Sequence, residues 1–588
     1  MDLSEQKLDW TALQPHLAQL PVETQKVSFL DLQWRACSAI AQFLKNSHRS
    51  LLVLKADDQS EYASEVENWV KLQQAPLQVS GVQYVVEQGD SFSFAQIHIE
   101  PAQSVQDNFA AKKTVATALY FDQSSLFGSI RIHPMSHDIQ LNAGLVHQLN
   151  NGVLILSVNQ LLTHFDCWER LKHVLVTKQF DWYSAHPFKA LPCEIPSYPL
   201  NVKVLLLGNR EELATLNELV PDLYHLADYS EIESYIAVGK EPQQQAWQQY
   251  VQSFAWQHQF PHLTQDGLDK LYQWLVRESE SRVLINSSPL ILTQILSGVS
   301  LLSNNKDEIS AVDVEQYFQQ KLVQQGFLRE QAYADIFYHQ VYIETDHEAV
   351  GQINGLSVVE FTGMPMSFGE PSRISCIVQF GDGEIVDIER KSELAGNVHG
   401  KGMMIAQNCL ANILDLPSQL PFSASLVFEQ SYGEIDGDSA SLAAFLVLAS
   451  ALSDLPVPQS IAVTGSIDQF GLVHSIGGVN DKIEGFFAIC QSRGLTGKQG
   501  VIIPQSCLYQ LSLTDDVVTA VKNNQFFIWT VNDVFEACEI LFDRPLVVDE
   551  QTDKAEKVTI AQLIAKRIEQ YAEQHHSIPF WLKWFAKK

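Results

Sequence analysis

The chain has 588 residues, 46% hydrophobic and 18% charged, the composition of folded protein but too long for one compact core, so two to four domains are expected. Its 69 acidic and 39 basic residues give a net charge of −30, which argues against a nucleic-acid backbone as main partner, since neutralising phosphates takes lysine and arginine. Eight scattered cysteines with no Cys-x-x-Cys pair argue against a structural zinc or disulfide framework, and no apolar run reaches the ~18 residues of a membrane span; a soluble, cytoplasmic protein is expected.

From Ser28 to about Lys240 helical and short apolar segments alternate. Leu30 to Leu44 reads as an amphipathic helix. Ser50 to Leu54, Val153 to Leu156 and Val202 to Leu207 read as buried strands, continuous enough for a parallel sheet covered on both faces. The order of segments, with Phe121-Asp122-Gln123-Ser124-Ser125-Leu126-Phe127-Gly128-Ser129-Ile130, Gly144 to Gln148 and Asn151 to Leu156, resembles the AAA+ module of Lon-type proteases. In such modules the first strand runs into a glycine-rich loop whose amides cradle phosphate and whose lysine reaches the terminal phosphates. Here that slot holds Lys55-Ala56-Asp57-Asp58-Gln59-Ser60-Glu61-Tyr62, with no glycine and three carboxylates. The acidic pair expected after the second strand, for magnesium and water activation, is replaced by Ser157-Val158. Asn209 is either a surviving sensor residue or a turn residue. The expectation is a degenerate AAA+ scaffold without ATP hydrolysis, spanning residues 1–240.

Residues 241–341 read as a helical lid, with helical periodicity in Ala246 to Phe254, Leu268 to Val276, Leu290 to Leu302 and Val312 to Leu322. The glutamine-rich stretch Gln243 to Gln249 is expected to be a solvated helix face or a linker. At about Tyr342 the pattern shifts to strands and glycines. Val350 to Val359 and Ser372 to Phe380 read as strands, followed by a hairpin signal at Gly381-Asp382-Gly383. Gly396 to Gly402 then opens an apolar helix from Met403 to Leu414.

Two stretches in residues 342–547 carry chemistry. After a strand at Ser425 to Phe428 comes Gly433-Glu434-Ile435-Asp436-Gly437-Asp438-Ser439-Ala440-Ser441, directly before a helix whose buried stripe is Leu442, Phe445, Leu446, Ala449 and Leu452. Ser439 therefore falls at or near a helix N-terminus, where unpaired amides and the helix dipole can hold a developing oxyanion. Beyond the strands Ile461 to Gly465 and Leu472 to Ile476, Gly477-Gly478 leads into a helix that carries Lys482 in its opening turn. A charged lysine is disfavoured there, which suits a base whose pKa must fall from ~10.4 toward neutrality. Taken singly, a serine before an apolar helix is more often an N-cap, and a helical lysine a solvated charge.

Together, in a frame of small residues and 43 positions apart, they resemble the proteolytic domain of the Lon family. That family sets its nucleophile in Gly-Asp-Ser-Ala-Ser and its base in Gly-Gly-x-x-x-Lys. The neighbouring Phe428 to Tyr432, Thr464-Gly465-Ser466 and Glu484 to Phe487 point to its archaeal-type and Lon-like branches. The resemblance implies Ser439 as nucleophile, Lys482 as base, Thr464 orienting the lysine through its hydroxyl, and Asp438 shaping the turn or capping the helix. The fold it implies is a degenerate AAA+ α/β core with a helical lid, followed by an α+β Lon-type proteolytic domain.

Strands at Gly500 to Pro504 and Phe526 to Val531 and a helix from Val534 to Leu541 close that domain. Residues 548–588 read as a helical tail, Val558 to Gln574, ending in Pro579-Phe580-Trp581-Leu582-Lys583-Trp584-Phe585-Ala586-Lys587-Lys588, which is expected to pack on protein rather than on a membrane.

The function expected is a Ser-Lys endopeptidase that degrades unfolded or loosely folded protein without ATP hydrolysis, needs no cofactor or metal, and assembles as a hexameric ring. Two alternatives stay open. One is an ATP-dependent Lon-type protease with a non-standard nucleotide site, which would take ATP-Mg as cofactor. The other is a non-catalytic, chaperone-like binder.

Overall fold

The computed structural model describes residues 6–18, 26–89, 95–133, 135–136, 138–184, 190–191, 193–303, 307–416, 420–430, 435–548 and 558–576. Part of the serine turn (431–434) and the aromatic tail (Pro579 to Lys588) lie outside them.

Five strands form the first sheet: β1 (Leu51–Lys55), β2 (Val115–Ala118), β3 (Val153–Ser157), β4 (Lys203–Gly208) and β5 (Ala227–Glu231). All are parallel, in the order β5-β1-β4-β3-β2. Leu51 to Leu54 and Val204 to Leu207 are each at most 2% exposed, because helices cover both faces. Helix α1 (Ser60–Gln73) follows β1, and a small antiparallel sheet (Gly81–Glu87, Gln96–Pro101, Phe109–Ala110) is inserted before β2. The helix expected over Leu30 to Leu44 divides into a 3-10 turn, Leu30–Leu32, and an α-helix, Trp34–Lys45. Asn209 is a helix cap: its side chain accepts from the Glu212 amide at 3.0 Å while Glu212 Oε2 accepts from the Asn209 amide at 2.9 Å.

The lid consists of α2 (Glu241–Gln257), α3 (Gln265–Ser279), α4 (Pro289–Leu302), α5 (Ala311–Gln325) and α6 (Phe327–Phe337). Its apolar faces join one side of the β-sheet in a single core. The glutamine-rich stretch is neither linker nor simply solvated. It lies in α2, with Trp247 and Gln248 buried and the Trp247 indole donating to Ser287 Oγ at 2.9 Å.

The second sheet has seven strands in the order β8-β9-β7-β6-β10-β13-β14. They are β6 (Gln352–Val359), β7 (Phe368–Gly383), β8 (Ile385–Asp387), β9 (Leu420–Phe428), β10 (Ile461–Val463), β13 (Gln499–Pro504) and β14 (Phe526–Val531). A two-stranded ribbon, β11 (Ser466–Ile467) with β12 (Val473–His474), stands beside it. The Gly381–Gly383 signal is not a hairpin: β7 continues through it with a register shift against β9 between Phe380 and Gly383. Helices α7 (Asn397–Ile413), α8 (Ser441–Ser453), α9 (Val479–Arg493), α10 (Val534–Phe542) and α11 (Ile560–His576) complete the unit. Every residue of α8 is buried, so it is a central helix and not the amphipathic one its stripe suggests.

Both chain ends depart from the expected segmentation. Residues 6–8 run along β14, with Leu8 N to Ile528 O at 2.9 Å and Thr530 N to Gln6 O at 3.0 Å, and Leu13 is fully buried in the core beneath α9. The first described residues thus lie on the second sheet, before the chain enters the first. Helix α11 belongs to the core of the second unit and is not a separate tail segment: Ile560 and Ile564 are buried in the core around α8, and the Arg567 guanidinium donates to the carbonyls of Ala451 and Leu452 at 2.9 Å each. Lid and second sheet are also fastened together, by Lys270–Asp515 (3.0 Å), by Arg282 to the carbonyls of Leu511 and Ala12 (2.7 Å each), and by Ser512 Oγ to the Gln273 carbonyl (2.7 Å).

Candidate active site

The turn before α8 is held from three sides. Asp436 Oδ1 accepts from the amides of Val398, His399 and Gly437 at 3.1, 3.2 and 2.9 Å, which ties the turn to the N-terminus of α7. Gly437 has φ +109°, a conformation that L side chains rarely adopt. Asp438 Oδ2 accepts from Ser466 Oγ on β11 at 2.8 Å, while its carbonyl accepts from the Ser441 amide at 3.0 Å. Asp438 thus shapes the turn; the cap position of α8 is Ala440, which has no side-chain cap.

Ser439 itself is half-buried. Its carbonyl accepts from the Gly465 amide at 2.8 Å and from Thr464 Oγ1 at 3.3 Å. The hydroxyl of Thr464 therefore bonds the backbone of Ser439, not the lysine it was expected to orient. The first two amides of α8 are already used, Ser441 on Asp438 O and Leu442 on Gly465 O (3.1 Å). Helix amides at the very start are thus not the free donors expected. Among the described residues the amides of Asp438, Ser439 and Ala440, in the turn, have no acceptor.

Lys482 approaches from α9. Gly478 caps that helix in the left-handed region (φ +66°), where an added Cβ would lie 2.3 Å from Val358 Cγ2. One turn on, Gly369 of β7 lies so close that its Cβ would be 1.9 Å from the Asp481 carbonyl and 2.8 Å from Lys482 Cα. This approach of strand to helix buries Lys482 to 4% exposure. Its Nζ lies 2.9 Å from Ser439 Oγ. Burial pushes the amine down from 10.5 to about 8, with Cys507, Glu280 and Asp438 pulling weakly the other way.

The four residues singled out in the sequence, Ser439, Lys482, Thr464 and Asp438, thus meet in one site. Sequence reasoning missed Asp436 and Ser466, which hold the turn, and Glu280 and Arg277, which reach α9 from the lid. The first pair had a signal, since Asp436 lies inside the serine motif and Ser466 directly follows Thr464-Gly465; the second pair had none.

Two family models match the chain: "LonB-like, AAA domain" over residues 112–227 and "Lon protease (S16) C-terminal proteolytic domain" over residues 433–542. A protein of Haemophilus influenzae named "Putative Lon protease homolog" is 61% identical over 98% of this chain and 96% of its own length. One of the same name in Escherichia coli is 43% identical over 97% and 96%. The chain belongs to the Lon protease family. A more distant relative, an archaeal Lon protease of Thermoplasma acidophilum, is 24% identical over 71% of this chain and 65% of its own length. The AAA-like domain followed by a Lon proteolytic domain is the architecture that the residues led one to expect.

In this Lon-family chain the segment between β1 and α1, where the fold family would seat a nucleotide phosphate, is closed by its own side chains. Lys55 Nζ pairs with Glu233 at 2.7 Å, and Asp57 accepts from Ser234 Oγ at 3.2 Å. Asp58 is hydrogen-bonded by Ser157, the residue standing where an acid was expected. Burial raises the Asp58 carboxyl above its ordinary value; it also raises Glu212, to which the neighbouring Asp58 and Asp57 add. Carboxylates in the slot and a committed lysine do not fit a polyphosphate. Among the described residues no three His, Cys, Asp or Glu side chains are grouped to hold a metal ion, and no helix is long and apolar enough to cross a membrane.

Proposed function

We propose that this Lon-family chain is a serine endopeptidase working with a Ser439–Lys482 dyad on unfolded polypeptide, without ATP hydrolysis. The observation that carries the reading is the 2.9 Å contact between Ser439 Oγ and a buried Lys482 amine. The neutral amine takes the Oγ proton as the oxygen attacks the scissile carbonyl, forming a tetrahedral oxyanion. The amides of Asp438 to Ala440, which have no acceptor among the described residues, are the backbone donors assigned to that charge. The lysine ammonium then gives its proton to the leaving amine, and the freed amine activates water to cleave the acyl-serine ester. Asp438 and Thr464 serve by fixing the turn that carries Ser439. A hexameric ring of copies in the cytoplasm belongs to the same proposal, its mass being read by sedimentation.

Because the neutral amine is the active form, kcat/KM on a fluorogenic peptide should rise with pH through a limb centred near 8, where Lys482 loses its proton. A limb at the ordinary lysine value would contradict the burial argument. The test of the energy-free reading is cleavage of denatured casein with and without ATP-Mg. Rates equal within about twofold are expected, because no phosphate cradle remains. No cleavage at all would remove the peptidase, and stimulation by ATP would remove the closed slot.

A further inference from the structure

The helix that carries Lys482 is held from outside its own domain. Arg277 of α3, 14% exposed, reaches across and bonds Asp481 at 2.6 Å and Glu484 at 2.5 Å, one turn into α9. Tyr333 of α6 donates to the Gly369 carbonyl at 2.8 Å, on the strand residue packed without clearance against Asp481 and Lys482. Glu280, the first residue beyond α3, adopts φ +48°, uncommon for a glutamate. Its carboxylate is aimed at the glycine turn: Oε1 accepts from the Gly478 amide at 2.5 Å, and Oε2 lies 3.7 Å from the position of a Cβ on Gly477. The Gly478 carbonyl in turn accepts from the Lys482 amide at 3.0 Å. Two hydrogen bonds therefore link a lid carboxylate to the backbone of the lysine.

We propose that Glu280 is a positioning residue for Lys482, supplied by the lid, so that the dyad is complete only while the lid is docked on α9. This rests on the dyad reading above. The carboxylate does two things there. It fixes the Gly477-Gly478 turn, which a two-glycine segment does not fix by itself. It also places negative charge at the N-terminus of α9, offsetting the positive helix end beside the amine. The groups facing this corner are Arg277 and Glu278 from α3, Asp481, Lys482 and Glu484 from α9, Cys507 from the segment after β13, and Asp438 from the serine turn. Of these, the Glu280 carboxylate acts on the amine in the direction that favours its proton, as do Cys507 and Asp438.

The deciding experiment compares full-length wild type, Glu280→Gln and Glu280→Ala in kcat/KM on a fluorogenic peptide between pH 6 and 10, with fluorophosphonate labelling of Ser439 as a second readout. Glutamine keeps the acceptor for Gly478 and loses the charge. Its acid limb should therefore move to lower pH, by about half a unit, with the plateau retained within about twofold. Alanine loses both, and its plateau kcat and labelling rate should fall about tenfold at unchanged KM. A glutamine profile that superimposes on wild type, together with an alanine variant that keeps its plateau, would reduce Glu280 to a docking contact and overturn the proposal while leaving the dyad intact. A wild type that neither cleaves nor labels at Ser439 would overturn the dyad, and this role with it.

Discussion

Ser439→Ala should lose peptide cleavage by about a thousandfold or more, with folding unchanged. The expected size follows from covalent chemistry: without Oγ no acyl intermediate forms, and what remains is whatever the turn amides do for a direct attack by water. The unchanged folding follows from geometry. Among the described residues Oγ is bonded by Lys482, whereas the turn is held by the Ser439 carbonyl, by Asp436 and by Asp438. The variant should also resist fluorophosphonate labelling and melt with the wild type. Retained cleavage by the alanine variant would assign the activity to another residue.

Lys482→Met should lose activity on the same scale and gain stability. Methionine has a similar length and no proton to accept, so Ser439 stays in place without a base. The gain comes from burial. A lysine amine held at about 8 instead of 10.5 costs the folded state roughly 3 kcal/mol at neutral pH, because it must shed its proton or carry charge where water is excluded. The sign is fixed by proton counting. Between about 8 and 10.5 the unfolded chain binds more protons than the folded one, so wild-type stability rises with pH across that window. Below it the full penalty is paid, and above it none. The melting temperature of Lys482→Met should thus exceed wild type by several degrees at pH 7, and the difference should close above pH 10.5. A methionine variant that melts lower at neutral pH would mean that the amine sits in a favourable site, contrary to the burial argument.

Legibility in the sequence followed the range of the interactions. Ser439 and Lys482 could be read because each lies in a local frame of small residues, and small residues are what let β7 and α9, or the turn and β10–β11, approach so closely. The strands β1, β3 and β4 could be read because both their faces are covered and their apolar runs are unbroken. Strand β2, Val115-Ala116-Thr117-Ala118, is too short and too small-chained to announce itself, and β5, Ala227-Asp228-Tyr229-Ser230-Glu231, is an edge strand with polar residues at three of its five positions and no apolar run. Helix α8 misled in the other direction: Ala443, Ala444, Ser450 and Ser453 dilute an apolar pattern, yet all are buried because other elements surround the helix. What Thr464 bonds, and the reach of Arg277 and Glu280 into α9, depend on contacts between elements far apart in the chain. No spacing in the sequence encodes them.

The carboxylates between β1 and α1 have a consequence for which proteins are destroyed. With that seat closed, on the reading proposed here nothing in the molecule pulls a chain apart, and the timing of destruction passes to the victim. A protein stable by 3 kcal/mol is open about 0.6% of the time, and each further 1.4 kcal/mol reduces that supply about tenfold. Such an enzyme sorts a cell's proteins by how often they fall open unaided, removing the nascent, the damaged and the intrinsically loose while well-folded neighbours outlast it.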